Sequence, residues 1–421
     1  MLALLPALAS PRAARASDCS NSSVGLTPLS DLGSGTYKGS KGGLYPGSVD
    51  FRPVAHERAG ESIAQGIGPL DATGAPDPDG KYVLLSIGMS NTKLEFHDFQ
   101  RLVYFSKAED PHLVLVDGAQ IGATAKRWAD PGDPVWAAAD QSLAEAGVSA
   151  QQVTVAWVKL ADSEPRGKFP SYARELQSEL EGVARNLHAR YPNLKLAYYS
   201  SRIYGGYAVD SLNPEPYAYQ SGFSVKWLVG DQLAGSGLSF DPAEGPVDAP
   251  WVAWGPYMWA DGLQPRSDGL TWACTDFAKD GTHPSDDGEK KVAGLLMDFF
   301  STDSTTRPWF LAAPGQQTHA RTLSLSLTKH LVAKGALAVD DGFGACGQGD
   351  RVDVERRTHG RWRIVGEATT GRLGKFRVKL DDVPGTYRAT TAEVDIAGPG
   401  SDACLAATSP VATAPVATAT R

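Results

Sequence analysis

A basic excess is the first thing this chain lacks. Its 421 residues carry 40 lysines and arginines against 48 aspartates and glutamates, a net charge of −8. Nucleic acids and anionic membrane surfaces select basic patches, so neither is expected as a partner. Cysteine is scarce: Cys19, Cys274, Cys346 and Cys404. No two of them are closely spaced, which excludes a zinc knuckle, and the eight histidines form no metal-binding pair at helical spacing. No metal and no cofactor are therefore expected. Past the first residues, no apolar run is long enough to span a membrane.

The early apolar run is Leu2–Ala9, followed by the small-x-small sequence Ala14-Arg15-Ala16. It reads as an export signal over residues 1–16, although the positively charged start of such signals is missing. That places the mature chain, from Ser17, in an extracellular or periplasmic setting. An even number of cysteines there implies two disulfides. A composition of 42% hydrophobic and 21% charged residues is that of an ordinary globular protein. The length allows more than one domain.

What is present falls into three textures. Residues 17–79 are rich in Gly, Pro and Ser, with one short helix expected over 61–67. So long a stretch without repeating structure is disordered or wraps a domain, and its aromatics and Cys19 favour wrapping. From 80 to 305, apolar strands alternate with helical runs. Strands are expected at Tyr82–Ile87, His112–Val116, Val153–Val158, Leu194–Tyr199 and Trp251–Trp254. Helices are expected at Leu94–Tyr104, Pro134–Ala146, Tyr172–Tyr191, Pro216–Leu233 and Asp286–Phe300. This predicts an α/β fold of flavodoxin-like type, a parallel five-stranded sheet with helices on both faces. Over 310–405 short alternating runs and turn signals take over, including Asp340-Asp341-Gly342 and Pro384-Gly385. They predict an all-β, immunoglobulin-like sandwich. Cys346 and Cys404 both lie in it and are expected to pair, which leaves Cys19 for Cys274. The Ala/Thr/Pro-rich end, 406–421, reads as a disordered tail.

In a parallel sheet, ligands bind at the carboxyl ends of the strands. Ser90 follows the first strand at a tight turn, in Gly88-Met89-Ser90-Asn91. Its hydroxyl is a nucleophile or an ordinary turn group. The distant Asp280-Gly281-Thr282-His283-Pro284, after the fifth strand, supplies a base in His283 and a carboxylate in Asp280 to orient it. Read blandly, His283 only starts a helix and Asp280 only caps a turn. The backbone N–H groups of Ser90 and Gly122 are candidate oxyanion donors. Lys159 and Arg202 stand at the ends of the third and fourth strands. Lys159 places a cation near an oxyanion or is a solvated surface lysine. Arg202 binds a substrate carboxylate or phosphate, or pairs with a surface acid. Trp254, Tyr257 and Trp259 form a sugar-stacking platform or pack in the core.

The Gly-x-Ser-Asn turn, the glycine after the second strand and Asp-x-x-His-Pro before the last helix together resemble the SGNH (GDSL-like) hydrolases over residues 81–302. That resemblance implies ester hydrolysis outside the cytoplasm, with Ser90, Asp280 and His283 as the triad and Gly122 as an oxyanion donor. The chain departs from the pattern in two places. Met89 stands where the family commonly has Asp. The third block, Trp157-Val158-Lys159-Leu160-Ala161-Asp162, holds neither the Asn nor the Gln-Gly-Glu that completes the oxyanion hole; Lys159 and Asn91 are the substitutes at hand. The expected function is a secreted serine esterase acting on a small or carbohydrate ester, with carbohydrate O-deacetylation among the activities the resemblance implies. A non-catalytic glycan- or surface-binding protein on the same fold is the alternative, and a structural protein with an adhesive β-sandwich is a third reading.

Overall fold

The computed structural model describes residues 17–312, 318–328, 330–341, 343–371, 374–381, 383–396 and 402–414. The expected export signal and residues 415–421 lie outside the described residues. The chain divides into two compact units, 1–312 and 313–421.

In the first unit the elements run α1 (Val54–Gln65), β1 (Tyr82–Gly88), α2 (Ser90–Ser106), β2 (Leu113–Asp117), α3 (Ala125–Ala129) and α4 (Val135–Glu145). They continue with β3 (Val153–Lys159), α5 (Ser171–Arg190), β4 (Leu196–Tyr199), α6 (Tyr217–Leu233), β5 (Trp251–Trp254) and α7 (Asp286–Thr302). The five strands form one sheet in the order β2-β1-β3-β4-β5, and every pairing is parallel. Helices cover both faces, as a sheet made by helical crossovers requires. All residues of β1 and β3 are buried, which explains why they read as continuous apolar runs rather than alternating ones. The helices fall into two groups, α2 with α7 and α5 with α3 and α6. Trp157 of β3 stacks on Phe96 of α2, and Tyr198 of β4 meets Phe299 and Phe300 of α7. On α5, Leu176, Leu180, Val183 and Leu187 recur at helical spacing and are buried. Each such side chain contributes about 1.5–3 kcal/mol by leaving water.

Residues 17–79 hold more structure than their composition suggests. Besides α1 there is a short helix, Leu29–Leu32, and a two-residue hairpin, Thr36–Tyr37 with Ser40–Lys41. The segment is fixed by contacts along its length. Ser17 N–H donates to Lys279 O, Leu29 N–H to the Tyr257 hydroxyl at 3.0 Å, and Lys226 Nζ to Lys41 O. A disulfide joins Cys19 to Cys274. The helix expected over 61–67 is α1, which begins earlier, right after Pro53. His56, Gly60 and Ala64 make its buried face, and Trp251 of β5 donates from Nε1 to His56 O at 3.0 Å. Packing against the sheet edge extends the helix beyond what local propensity supports.

The second unit is a β-sandwich. Strand β6 (Val332–Val339) pairs with β9 (Lys375–Lys379) and with two short strands, Arg321–Leu323 and Ser326–Leu327. Strand β7 (Arg351–Thr358) lies between β8 (Arg361–Thr369) and β10 (Gly385–Thr391). Leu323, Leu337 and Phe376 from the first sheet share one core with Val352, Val354 and Tyr387 from the second. The Cys346–Cys404 disulfide lies within this unit. The expectation of a disordered tail from 406 is corrected here. Ala407–Thr408 pairs with Thr390–Thr391, and Ala412–Ala414 pairs with Gly385–Tyr387. Small Ala and Thr side chains fit against the open edge of β10, whose backbone groups need partners.

Candidate active site

The site begins where β1 stops. Gly88 ends the strand, Met89 is extended (φ −99°, ψ −167°), and Ser90 is the first residue of α2. The reversal is so tight that a Cβ on Gly88 would stand 2.1 Å from Thr92 Oγ1, so the turn admits only glycine there. Its carbonyl is held from outside by Gln120 N–H at 3.0 Å and by Trp128 Nε1 at 3.2 Å. Thr92 Oγ1 in turn donates to Lys159 O. The helix therefore starts four residues before the apolar run suggests, and Ser90 sits at its N-terminal turn.

The Asp280–His283 loop faces it. Ser90 Oγ lies 2.8 Å from His283 Nε2, and His283 Nδ1 lies 2.6 Å from Asp280 Oδ2. The other carboxylate oxygen of Asp280 accepts the N–H groups of Thr282 and His283 at 2.9 and 3.0 Å. Burial pushes the Asp280 carboxyl upward. The His283 ring and the two amides outweigh it and hold it below the usual carboxylate range. Gly281 has φ +67°, and a Cβ there would meet Tyr207 O at 2.1 Å. The loop can therefore turn this sharply only with glycine. Asn91 Nδ2 donates to Thr282 O at 2.9 Å, tying α2 directly to the loop that carries the imidazole. Ser90, His283 and Asp280 are thus joined in one hydrogen-bonded series, with the His283 and Asp280 side chains still partly exposed, 28% and 34%.

Gly122 adopts φ +71° on the exposed loop after β2. Among the described residues neither its N–H nor that of Ser90 donates to another group. Two other expected oxyanion donors are corrected. Lys159 Nζ donates to both carboxylate oxygens of Glu95 at 2.5 Å, and both side chains are 0% exposed. Burial pulls its ammonium down to about 8, against the pull of Glu95. A cation sealed against its own counter-charge cannot meet an oxyanion at the Ser90 turn. Asn91 is 2% exposed and directs its amide to the His283 loop instead.

The aromatic platform is corrected too. Trp254, Tyr257 and Trp259 are buried. Trp254 Nε1 donates to Leu44 O at 2.8 Å, the Tyr257 hydroxyl accepts from Leu29 N–H, and Trp259 Nε1 donates to Glu215 at 2.7 Å. The N-terminal segment supplies two of these partners, so it covers the rings that would have stacked on a sugar. Arg202 lies just past β4, 5% exposed, with no side-chain partner among the described residues. The Glu95–Lys159 pair went unread in the sequence. Its signal is a carboxylate on the helix face otherwise made by Phe96, Phe99 and Val103, opposite a lysine ending an apolar strand. Among the described residues no group of three or more His, Cys, Asp or Glu side chains is arranged to hold a metal ion.

No protein-family model matches the chain, and no curated protein matches it. Among solved structures, the periplasmic domain of the Salmonella ser. Paratyphi A lipopolysaccharide acetyltransferase is similar at 13% identity and a TM-score of 0.31, over 58% of this chain and 95% of that one. A tetra-tandem repeat from the extending region of a large adhesion protein is similar at 15% identity and a TM-score of 0.17. There the chain covers 23% of its own length and only 24% of the other. A Cellulomonas fimi endo-beta-1,4-mannanase double mutant is similar at 14% identity and a TM-score of 0.22, over 76% of this chain and 58% of that one.

Proposed function

We propose that the chain is a serine esterase working outside the cytoplasm on small or carbohydrate acyl esters, and that residues 80–305 are its catalytic domain. The observation that carries this reading is the hydrogen-bonded series from Ser90 Oγ through His283 to Asp280. Ser90 Oγ attacks the acyl carbonyl while His283 Nε2 takes its proton. Asp280 holds Nδ1–H and so fixes the tautomer that leaves Nε2 free to accept. The N–H groups of Ser90 and Gly122 receive the negative charge on the carbonyl oxygen, and the N-terminal turn of α2 adds its dipole. Collapse of this intermediate expels the alcohol, which takes the proton from His283 and leaves an acyl-Ser90 ester. Water, deprotonated by the same imidazole, then attacks that ester and releases the acid and free Ser90. The two disulfides, Cys19–Cys274 and Cys346–Cys404, support an extracellular or periplasmic setting.

The test is hydrolysis of p-nitrophenyl acetate by the wild type and by Ser90→Ala. Turnover by the wild type is expected, with a loss on the order of 10³-fold or more in the variant. No hydrolysis by the wild type, or equal hydrolysis by both, sinks the reading. The non-catalytic glycan-binding alternative predicts tight glycan binding without turnover. That alternative draws on the missing third-block Asn, and burial of Trp254, Tyr257 and Trp259 removes the aromatic surface on which a sugar could stack.

A further inference from the structure

Arg202 is the unusual charge of the first unit. It is 95% removed from solvent, at 5% exposure. Its backbone is pinned, with N–H donating to Ser221 Oγ at 3.0 Å and the carbonyl accepting from Ser201 Oγ. Its side chain has no ion pair and no hydrogen bond among the described residues. Nε is sealed without a partner, while the two terminal nitrogens, equally unpartnered, are not sealed. The carboxylates whose charge acts on it, Glu95 and Glu215, are both engaged elsewhere. Glu95 holds Lys159. Glu215 accepts from Trp259 Nε1 and from the N–H groups of Gly205 and Tyr219. A guanidinium so far removed from water without a direct counter-charge carries a large desolvation cost, which an arriving anion would offset.

The position fits that role. Arg202 follows β4, and its charge is felt by Glu95 on α2 and by Tyr172 and Glu215, which lie at the starts of α5 and α6. Because Arg202 comes three residues after the end of β4 (Leu196–Tyr199), it stands at the carboxyl edge of the sheet, where ligands of parallel sheets bind. Ser90 follows β1 on the same rim, two strands away in the order β1-β3-β4. Two strand spacings are about 10 Å, a span that one substituted hexose covers.

We propose that the unpartnered fork of Arg202 is an anion subsite, and that the ester is carried on a molecule bearing a carboxylate or phosphate about one sugar ring from the acyl group. The substrate part of this inference rests on the esterase reading; the subsite itself does not. The fork geometry suits a planar or tetrahedral oxyanion bidentately, which a lysine at this place would not.

The experiment compares O-acetylated methyl glucoside, methyl glucuronide and glucose 6-phosphate as substrates of wild type, Arg202→Met and Arg202→Lys. The readout is the ratio of kcat/KM on charged to neutral sugars, so a general loss of activity cancels. A wild-type ratio of tenfold or more is expected, carried by KM, falling to near one in Arg202→Met and partly kept in Arg202→Lys. Preference for the glucuronide or the phosphate tells which anion the fork takes. A wild-type ratio near one, or a ratio unchanged in Arg202→Met, overturns the proposal. Independently of turnover and of how the variants fold, thermal unfolding of Ser90→Ala is followed in sodium glucuronate and in sodium phosphate against chloride at equal ionic strength. A rise of a few degrees in either is expected, and no rise in either overturns the subsite. A rise in a protein whose wild type hydrolyses no ester overturns the esterase reading and leaves the anion subsite standing.

Discussion

Ser90 and Asn91 are neighbours in sequence and serve the same imidazole from two sides. The hydroxyl of one meets the ring, and the amide of the other holds the backbone of the loop beneath it. His56 shows how differently a histidine behaves when buried. Its ring stacks on Trp251 at 4.6 Å, and its Nε2 lies 2.9 Å from Val252 O. Burial, aided by nearby Arg52, lowers it from an ordinary 6.5 to about 4, with the Val252 carbonyl opposing. Between those two values the unfolded chain binds a proton that the folded chain does not. Stability therefore rises with pH across that window, is fully present above 6.5, and is lost as pH falls toward 4. The stability involved is about 3 kcal/mol. Urea midpoints at pH 4.5 and 7 should differ accordingly, and His56→Gln should flatten the difference; an equal pH dependence in the variant would count against this account. The serine, histidine and aspartate of the site were legible in the sequence because each sits in a short local motif. Neither the work of Asn91 nor the state of His56 was, since their partners, Thr282 and Val252, lie far along the chain.

At the scale of elements, α2 and β3 meet through Glu95 and Lys159, and this junction lies directly under the Ser90 turn. Two fully sealed opposite charges need each other more than they help the fold. Glu95→Gln leaves the lysine alone and should destabilise the first unit by about 3–5 kcal/mol in urea unfolding. The double variant Glu95→Leu with Lys159→Met should recover most of that loss. A double variant as unstable as the sum of its singles would refute the coupling. The strands themselves were readable, because a chain segment buried on both faces must be apolar throughout, as Val153–Val158 is. The start of α2 was not, because Ser90, Asn91 and Thr92 are poor helix formers held in place by the turn and by Lys159 O.

For the molecule as a whole, the first unit is closed by its own N-terminus. Cys19 is joined to Cys274, 255 residues away in sequence, a few residues before the Asp280–His283 loop. Closing so long a loop stabilises chiefly by restricting the unfolded chain, by about 2–5 kcal/mol. Cys19→Ser combined with Cys274→Ser should lower the urea midpoint of the first-unit transition by that amount. An unchanged midpoint would show that the hydrogen bonds of residues 17–79 suffice without the bridge.

The sequence by itself determined the two architectures, through the period of apolar residues and the spacing of turn signals. It also marked the serine turn and the Asp-x-x-His loop, because those are local patterns. Only the tertiary structure decided which polar groups are free to act. Lys159 is sealed by a helix 64 residues upstream, and Trp254 and Tyr257 are covered by a segment more than 200 residues upstream. The side chain of Arg202, which the same reading could equally have paired off at the surface, has no partner among the described residues. Burial and pairing are properties of what the fold brings together, and no run of neighbouring residues encodes them.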